Sequence, residues 1–186
     1  LARDTVKPGE FLLGYPNDRG DLAPATPDPW MANGSFLVIR KISQNVAAFH
    51  RLLDGSADHG LTAEKTAALL MGRYRDGTPL RPTDPAQPDD PSRNDYDFAG
   101  DSDGVHCPFA AHTRRTNPRE PFQNRPSPRI LRRGMSYGPL YAQEPAADRG
   151  ILFMAYNASI AEQFETIQRW INGGNSSGVS SAQGDR

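Results

Sequence analysis

Gly150-Ile151-Leu152-Phe153-Met154-Ala155-Tyr156 is the stretch that decides the fold. It is an unbroken apolar run of strand length, opened by a glycine, and it reads as a buried strand. Ser159 follows at an N-cap position, and Ile160, Phe164, Ile167 and Ile171 share one face of a helix running to about Trp170. Upstream, Ser35 to Ile42 is dense in strand formers, and Arg129 to Arg133 reads as a short strand ended by Gly134. Ser43 is the expected cap of a helix over Asn45 to Leu53, which Asp54-Gly55 ends. Thr62 is the expected cap of a second helix, with Ala67, Leu70, Met71 and Tyr74 on one face and Asp76-Gly77 as its stop. Glu10 to Tyr15 reads as a short strand within a turn-rich N-terminal segment.

Residues 77–104 are polar and rich in Pro, Asp and Gly, and 117–128 carry four prolines, so both read as loops. Because loops rather than helices join the later strands, the expected class is α+β with an antiparallel sheet, not a doubly wound fold. There is no internal repeat. The expected organisation is one unit over 1–175, then a mobile Gly/Ser-rich tail over 176–186.

The 186 residues suffice for a real core, and a formal net charge of -1 gives no global field toward nucleic acid or a membrane surface. No apolar run reaches the ~18 residues of a transmembrane helix, and no signal peptide is recognisable from Leu1 onward. The lone Cys107 excludes an intrachain disulfide and suits a small buried thiol. Basicity is local: 18 of the 21 basic residues are arginine, and seven of these fall between Arg114 and Arg133. Arginine suits bidentate carboxylate recognition, although a solvated basic face, or an interaction domain for an acidic partner, gives the same composition.

The chemistry concentrates in His106-Cys107-Pro108-Phe109-Ala110-Ala111-His112-Thr113-Arg114-Arg115-Thr116-Asn117-Pro118-Arg119. A histidine among small residues, followed by many arginines, suits an anionic cofactor whose metal takes an imidazole. Haem is the obvious one, with an axial histidine and propionates that need cations. A zinc site using Cys107 with His106 or His112 would lack a second ligand pair. A core histidine bonded to a carbonyl is the plain alternative for His112. His50, in a helix, and His59, beside Gly60, read as structural.

This stretch resembles the haem-ligand motif of the dye-decolourising peroxidase family almost residue for residue. Further matches lie at Val6 to Asn17, Asn33 to Lys41, Val46 to Phe49, Arg129 to Gly138 and Gly150 to Gln168. The resemblance implies a pair of ferredoxin-like α+β modules, of which this chain supplies mainly the second. It implies haem b, with His112 as the proximal iron ligand and Arg132 as the catalytic distal arginine. Arg133 takes that place if the register slips by one. It also implies cofactor contacts from Arg115, Phe153 and either Leu152 or Met154, and a peroxidase that uses hydrogen peroxide to oxidise dyes and phenolic compounds. Trp30, Tyr137, Tyr141 and Trp170 are the expected surface aromatics for electron uptake from bulky donors.

The sequence departs from the family pattern in two places. The family's distal Gly-x-x-Asp-Gly motif is absent ahead of Glu10, and Gly100-Asp101-Ser102-Asp103-Gly104 repeats its form in the wrong place, as a chance match would. The distal acid is therefore expected on a separate N-terminal polypeptide, with this chain as the C-terminal half. Ser159 also stands where relatives carry the acid that hydrogen-bonds the proximal histidine, with Glu162 as the expected substitute. A cytoplasmic setting and homo-oligomer formation are further expectations. The rival to the enzyme is a non-catalytic haem-binding protein of the same fold.

Overall fold

The computed structural model describes residues 5–20, 28–81, 94, 96–119 and 127–173. The chain divides into two compact units. The first, here the sheet unit, comprises Lys7–Ala63 and Arg129–Phe164; the second, the helical unit, is built around Glu64–Pro128 and the segment from Glu165.

The sheet unit holds three strands: β1 (Phe36–Ser43), β2 (Leu131–Tyr137) and β3 (Gly150–Asn157). They lie in the order β1-β3-β2 with both pairings antiparallel, as the apolar character of β3 leads one to expect of the central strand. The architecture is α+β, as the sequence indicates. Helix α1 (Val46–Asp54) follows β1. Its cap is Asn45, whose side chain accepts from the Ala48 N–H at 2.9 Å, and not Ser43, which ends β1 and faces Asp148. Glu10 to Tyr15 is not a strand. Pro8–Glu10 forms a 3-10 turn, and Gly14 takes a φ of 91°, which breaks any extended run. Strand β2 runs beyond Gly134 to Tyr137, because Gly134 pairs with Phe153 within the ladder.

Leu13 and Ala158 are buried together, with Met31 and Phe36 packed against them. Beside them one amide ties the termini of the unit together. Gln163 Oε1 accepts from the N–H groups of Ala158 and Ser159 at 2.9 and 2.8 Å. Its Nε2 donates to the Glu10 carbonyl, the Glu10 carboxylate and the Arg129 carbonyl. Ser159 caps the next turn as expected, its Oγ accepting from the Glu162 N–H, but that turn, Ile160–Phe164, is π-helical before α-helix resumes.

At Gly150 a β-carbon would lie 1.9 Å from the Ile42 carbonyl oxygen, inside the β1–β3 ladder. Gly150→Ala must push the two strands apart, an overpacking cost of about 3 kcal/mol or more. The variant should melt several degrees lower than the parent by circular dichroism; an unchanged melting temperature would contradict this register.

The helical unit contains α2 from Glu64 onward (helix Ala63–Met71), α3 (His112–Thr116) and α4 (Glu165–Ile171). Helix α2 stops five residues before the expected Asp76, because Gly72 turns the chain with a φ of 83° and donates to the Ala68 carbonyl. A β-carbon there would also meet Thr113 at 2.8 Å. The core is made largely by loop residues: Leu80, Tyr96, Phe98, Cys107 and Ala111 close over Ala68, with Leu69 and Tyr74 against them. The described ends of the 77–104 loop are thus structural. Trp170 is only 2% exposed, which removes it from the surface aromatics. It follows Ile167 by three residues and shares its buried side of α4. The expected tail over 176–186 lies outside the described residues.

Candidate functional site

His112 is the first residue of α3 and is half-buried. The chain reaches it through a tight turn in which the Ala111 N–H donates to the Pro108 carbonyl at 2.9 Å. Helix α3 has only five residues and no side-chain N-cap, so its place comes from its neighbours. Thr113 Oγ1 donates to the Met71 carbonyl at the end of α2, at 2.7 Å. Arg115 is wholly buried and its Nε donates to the Trp170 carbonyl at 2.5 Å, clamping α3 to α4. Arg114, 2% exposed, bonds Asp101 and the Cys107 carbonyl and lies between the rings of Phe98 and Phe109. These two arginines therefore do not belong to a solvated basic face.

Asp101 is buried, which by itself pushes its carboxyl up. The N–H groups of His106 and Cys107, the His106 ring and the Arg114 guanidinium overcome this and hold it below the ordinary carboxylate value. Burial pushes the Cys107 thiol up to about 11, against the pull of Arg114, so it stays a neutral core group rather than a thiolate ligand. His106 Nδ1 stands 3.3 Å from Asp101, and His50 stacks on Tyr141. Among the described residues no three or more His, Cys, Asp or Glu side chains gather to hold a metal ion, which leaves the zinc reading without a ligand set.

In the sheet unit, Arg132 pairs with Ala155 and Arg133 with Met154. Side chains alternate along a strand, so the two arginines point to opposite faces. Phe153 pairs with Gly134 on one side and Arg40 on the other, on the Arg132 face. Leu152, paired with Met135 and Lys41, lies on the opposite face together with Met154 and Arg133. The expectation that Leu152, or Met154, joins Phe153 on one surface is corrected: the residue that does so is Ile151, two positions in register from Phe153. That period-2 signal was present in the sequence. Phe153 also packs on Phe164, ring centroids 6.1 Å apart. The Glu162 carboxylate is paired with Arg19, on an exposed surface of the sheet unit. Trp30 is 80% exposed, whereas Tyr137 is half-buried under Lys41 and bonded to Asp148.

Sequence reasoning missed Asp101 and Arg114. They stand thirteen positions apart, and no periodic pattern links a polar loop to a short helix.

Residues 16–180 match the family described as Dyp-type peroxidase, C-terminal. The chain is 39% identical over 168 residues to the multifunctional dye peroxidase DyP2 of Amycolatopsis sp., covering 80% of this chain and 36% of that protein. It is 34% identical over 204 aligned residues to the dye-decolorizing peroxidase AauDyP1 of Auricularia auricula-judae, covering 94% and 39% respectively. A solved structure of a mutant of the dye-decolorizing peroxidase from Pleurotus ostreatus superposes with a TM-score of 0.73 at 31% identity, over 96% of this chain and 42% of that one. The chain thus spans little more than a third of the length of the curated relatives it matches. A family match over most of the sequence, with relatives above 30% identity, places it: the chain belongs to the Dyp-type peroxidase family, as its C-terminal part.

Proposed function

We propose that this chain is the iron-ligating part of a haem b peroxidase that uses hydrogen peroxide to oxidise dyes and phenolic compounds. The observation that carries the reading is His112 at the head of α3, set just after the buried Ala111 on a helix tied to α2 by Thr113 and to α4 by Arg115. The donor set fits. Haem brings its own nitrogen ligands and would need an imidazole from the protein, and among the described residues His112 belongs to no cluster of metal-ligating side chains.

Bound haem would supply the iron at which peroxide is reduced. His112 would hold that iron through one ring nitrogen. Arg132 presents a permanent cation and several N–H donors, which stabilise negative charge developing on a peroxide oxygen. Phe153 and Ile151 give the Arg132 face of the sheet an apolar lining. The peroxide proton would pass to an acid supplied from outside these 186 residues. Glu162, held by Arg19, is not assigned the role of His112 partner. Among the aromatics considered for electron uptake from bulky donors, Trp30 is the most exposed.

The test is peroxide-dependent oxidation of a dye and of a phenol by the whole haem-loaded protein. Turnover that requires both haem and peroxide is expected. Haem retention without turnover would favour a non-catalytic haem-binding protein instead.

A further inference from the structure

We propose that Asp101 is a positioning residue that, through Arg114, fixes the orientation of His112; the proposal rests on the assignment of His112 as the iron ligand. The carboxylate reaches both ends of the segment on which His112 rides. On the near side Oδ1 accepts from the His106 N–H at 2.9 Å, and Oδ2 accepts from the Cys107 N–H at 2.8 Å. On the far side Oδ2 accepts from Arg114 Nη1, also at 2.9 Å, and Arg114 lies two residues beyond His112 on α3. Arg114 closes the loop: Nη1 donates to the Cys107 carbonyl at 2.7 Å and Nη2 to the Asp101 carbonyl at 2.9 Å. The guanidinium is held between the rings of Phe98 and Phe109, at 4.6 and 4.5 Å. A left-handed Gly104 lets the 101–107 loop fold back beneath Phe109 and donates to the Asp101 carbonyl.

This knot is better explained by geometry than by stability. A buried ion pair is often no more stabilising than apolar groups of the same shape, because both partners give up their hydration. What it supplies is direction, since both oxygens of Asp101 accept from fixed donors. A five-residue helix without a cap is too short to hold its own place. The knot on one side and the Thr113 and Arg115 bonds on the other do so for it. Asp103, the acid that gives this loop its Gly-x-x-Asp-Gly form, is exposed, and the working carboxylate is its neighbour Asp101.

The test uses the whole protein as parent, as Asp101→Asn, and as Asp101→Asn combined with Arg114→Gln, which removes both buried charges. Three quantities are read in each: the rate of haem transfer to a scavenging apoprotein, the His112 ring resonances of the haem-free form, and the melting temperature. Asp101→Asn should release haem about tenfold faster, as loss of an outer support of a metal ligand does, and should broaden or double the His112 signals. The double variant should regain most of the lost melting temperature while haem release stays fast. Haem release and ring signals equal to the parent's in Asp101→Asn would overturn the proposal. So would full recovery of both in the double variant, which would mark the knot as stabilising only. A parent that takes up no haem would sink the functional reading, while the ring resonances would still decide whether Asp101 orients His112.

Discussion

His112→Ala should abolish iron ligation: the whole protein purified with this substitution should lack the Soret band of its parent and lose added haem on gel filtration. On this reading the imidazole is what the segment gives the iron, and the neighbouring donors are poor replacements. Cys107 is buried in the core with its thiol pushed up to about 11, which disfavours the thiolate a metal would need. His106 is turned toward Asp101. The fold should survive, because alanine is a better helix former than histidine and the contacts that seat α3 are made by Thr113, Arg114 and Arg115. The haem-free variant should therefore melt within a few degrees of the haem-free parent. Imidazole added to the buffer should restore part of the Soret band by filling the vacated position. A variant that retains a full, unshifted Soret band would exclude His112 as the ligand.

Arg132→Leu should spare haem binding while slowing the reaction with hydrogen peroxide by roughly 10²–10³-fold, the usual cost of removing one donor aimed at developing negative charge. Arg133→Leu should stay close to the parent. The contrast follows from the ladder. Arg132 stands on the face that carries Ala155, Phe153 and Ile151, whereas Arg133 stands on the face of Met154 and Leu152. A one-residue slip would exchange every side chain between faces. Stopped-flow mixing with peroxide, followed in the Soret region, separates the two variants. Loss of reactivity in Arg133→Leu with full reactivity in Arg132→Leu would move the reacting surface to the opposite face.

Much of the sheet unit is legible in the sequence because β1 and β3 carry dense apolar and β-branched runs whose burial has few alternatives. Where the reading erred, a nonlocal or conformational term had won. Helix α2 ends at Gly72, not near Asp76, because a left-handed glycine outweighs an apolar face that continues to Tyr74. The expected N-cap moved from Ser43 to Asn45 because β1 used Ser43 as its last paired residue. The resemblance groups Leu152 or Met154 with Phe153, and the alternation of β3 puts both on the face opposite Phe153. Trp170 was placed at the surface although its spacing from Ile167 carried the core signal. The histidine segment was legible through its resemblance to a family, whereas its support was not. Asp101 lies in a polar loop and Arg114 in an apparent basic run, and only the fold makes them a pair.

The measurement that tests the central claim most directly is a visible spectrum of the whole natively purified protein, with the intact mass of every polypeptide present. The account predicts a Soret band. A protein without haem, which takes none up on reconstitution with all of its polypeptides present, would contradict it.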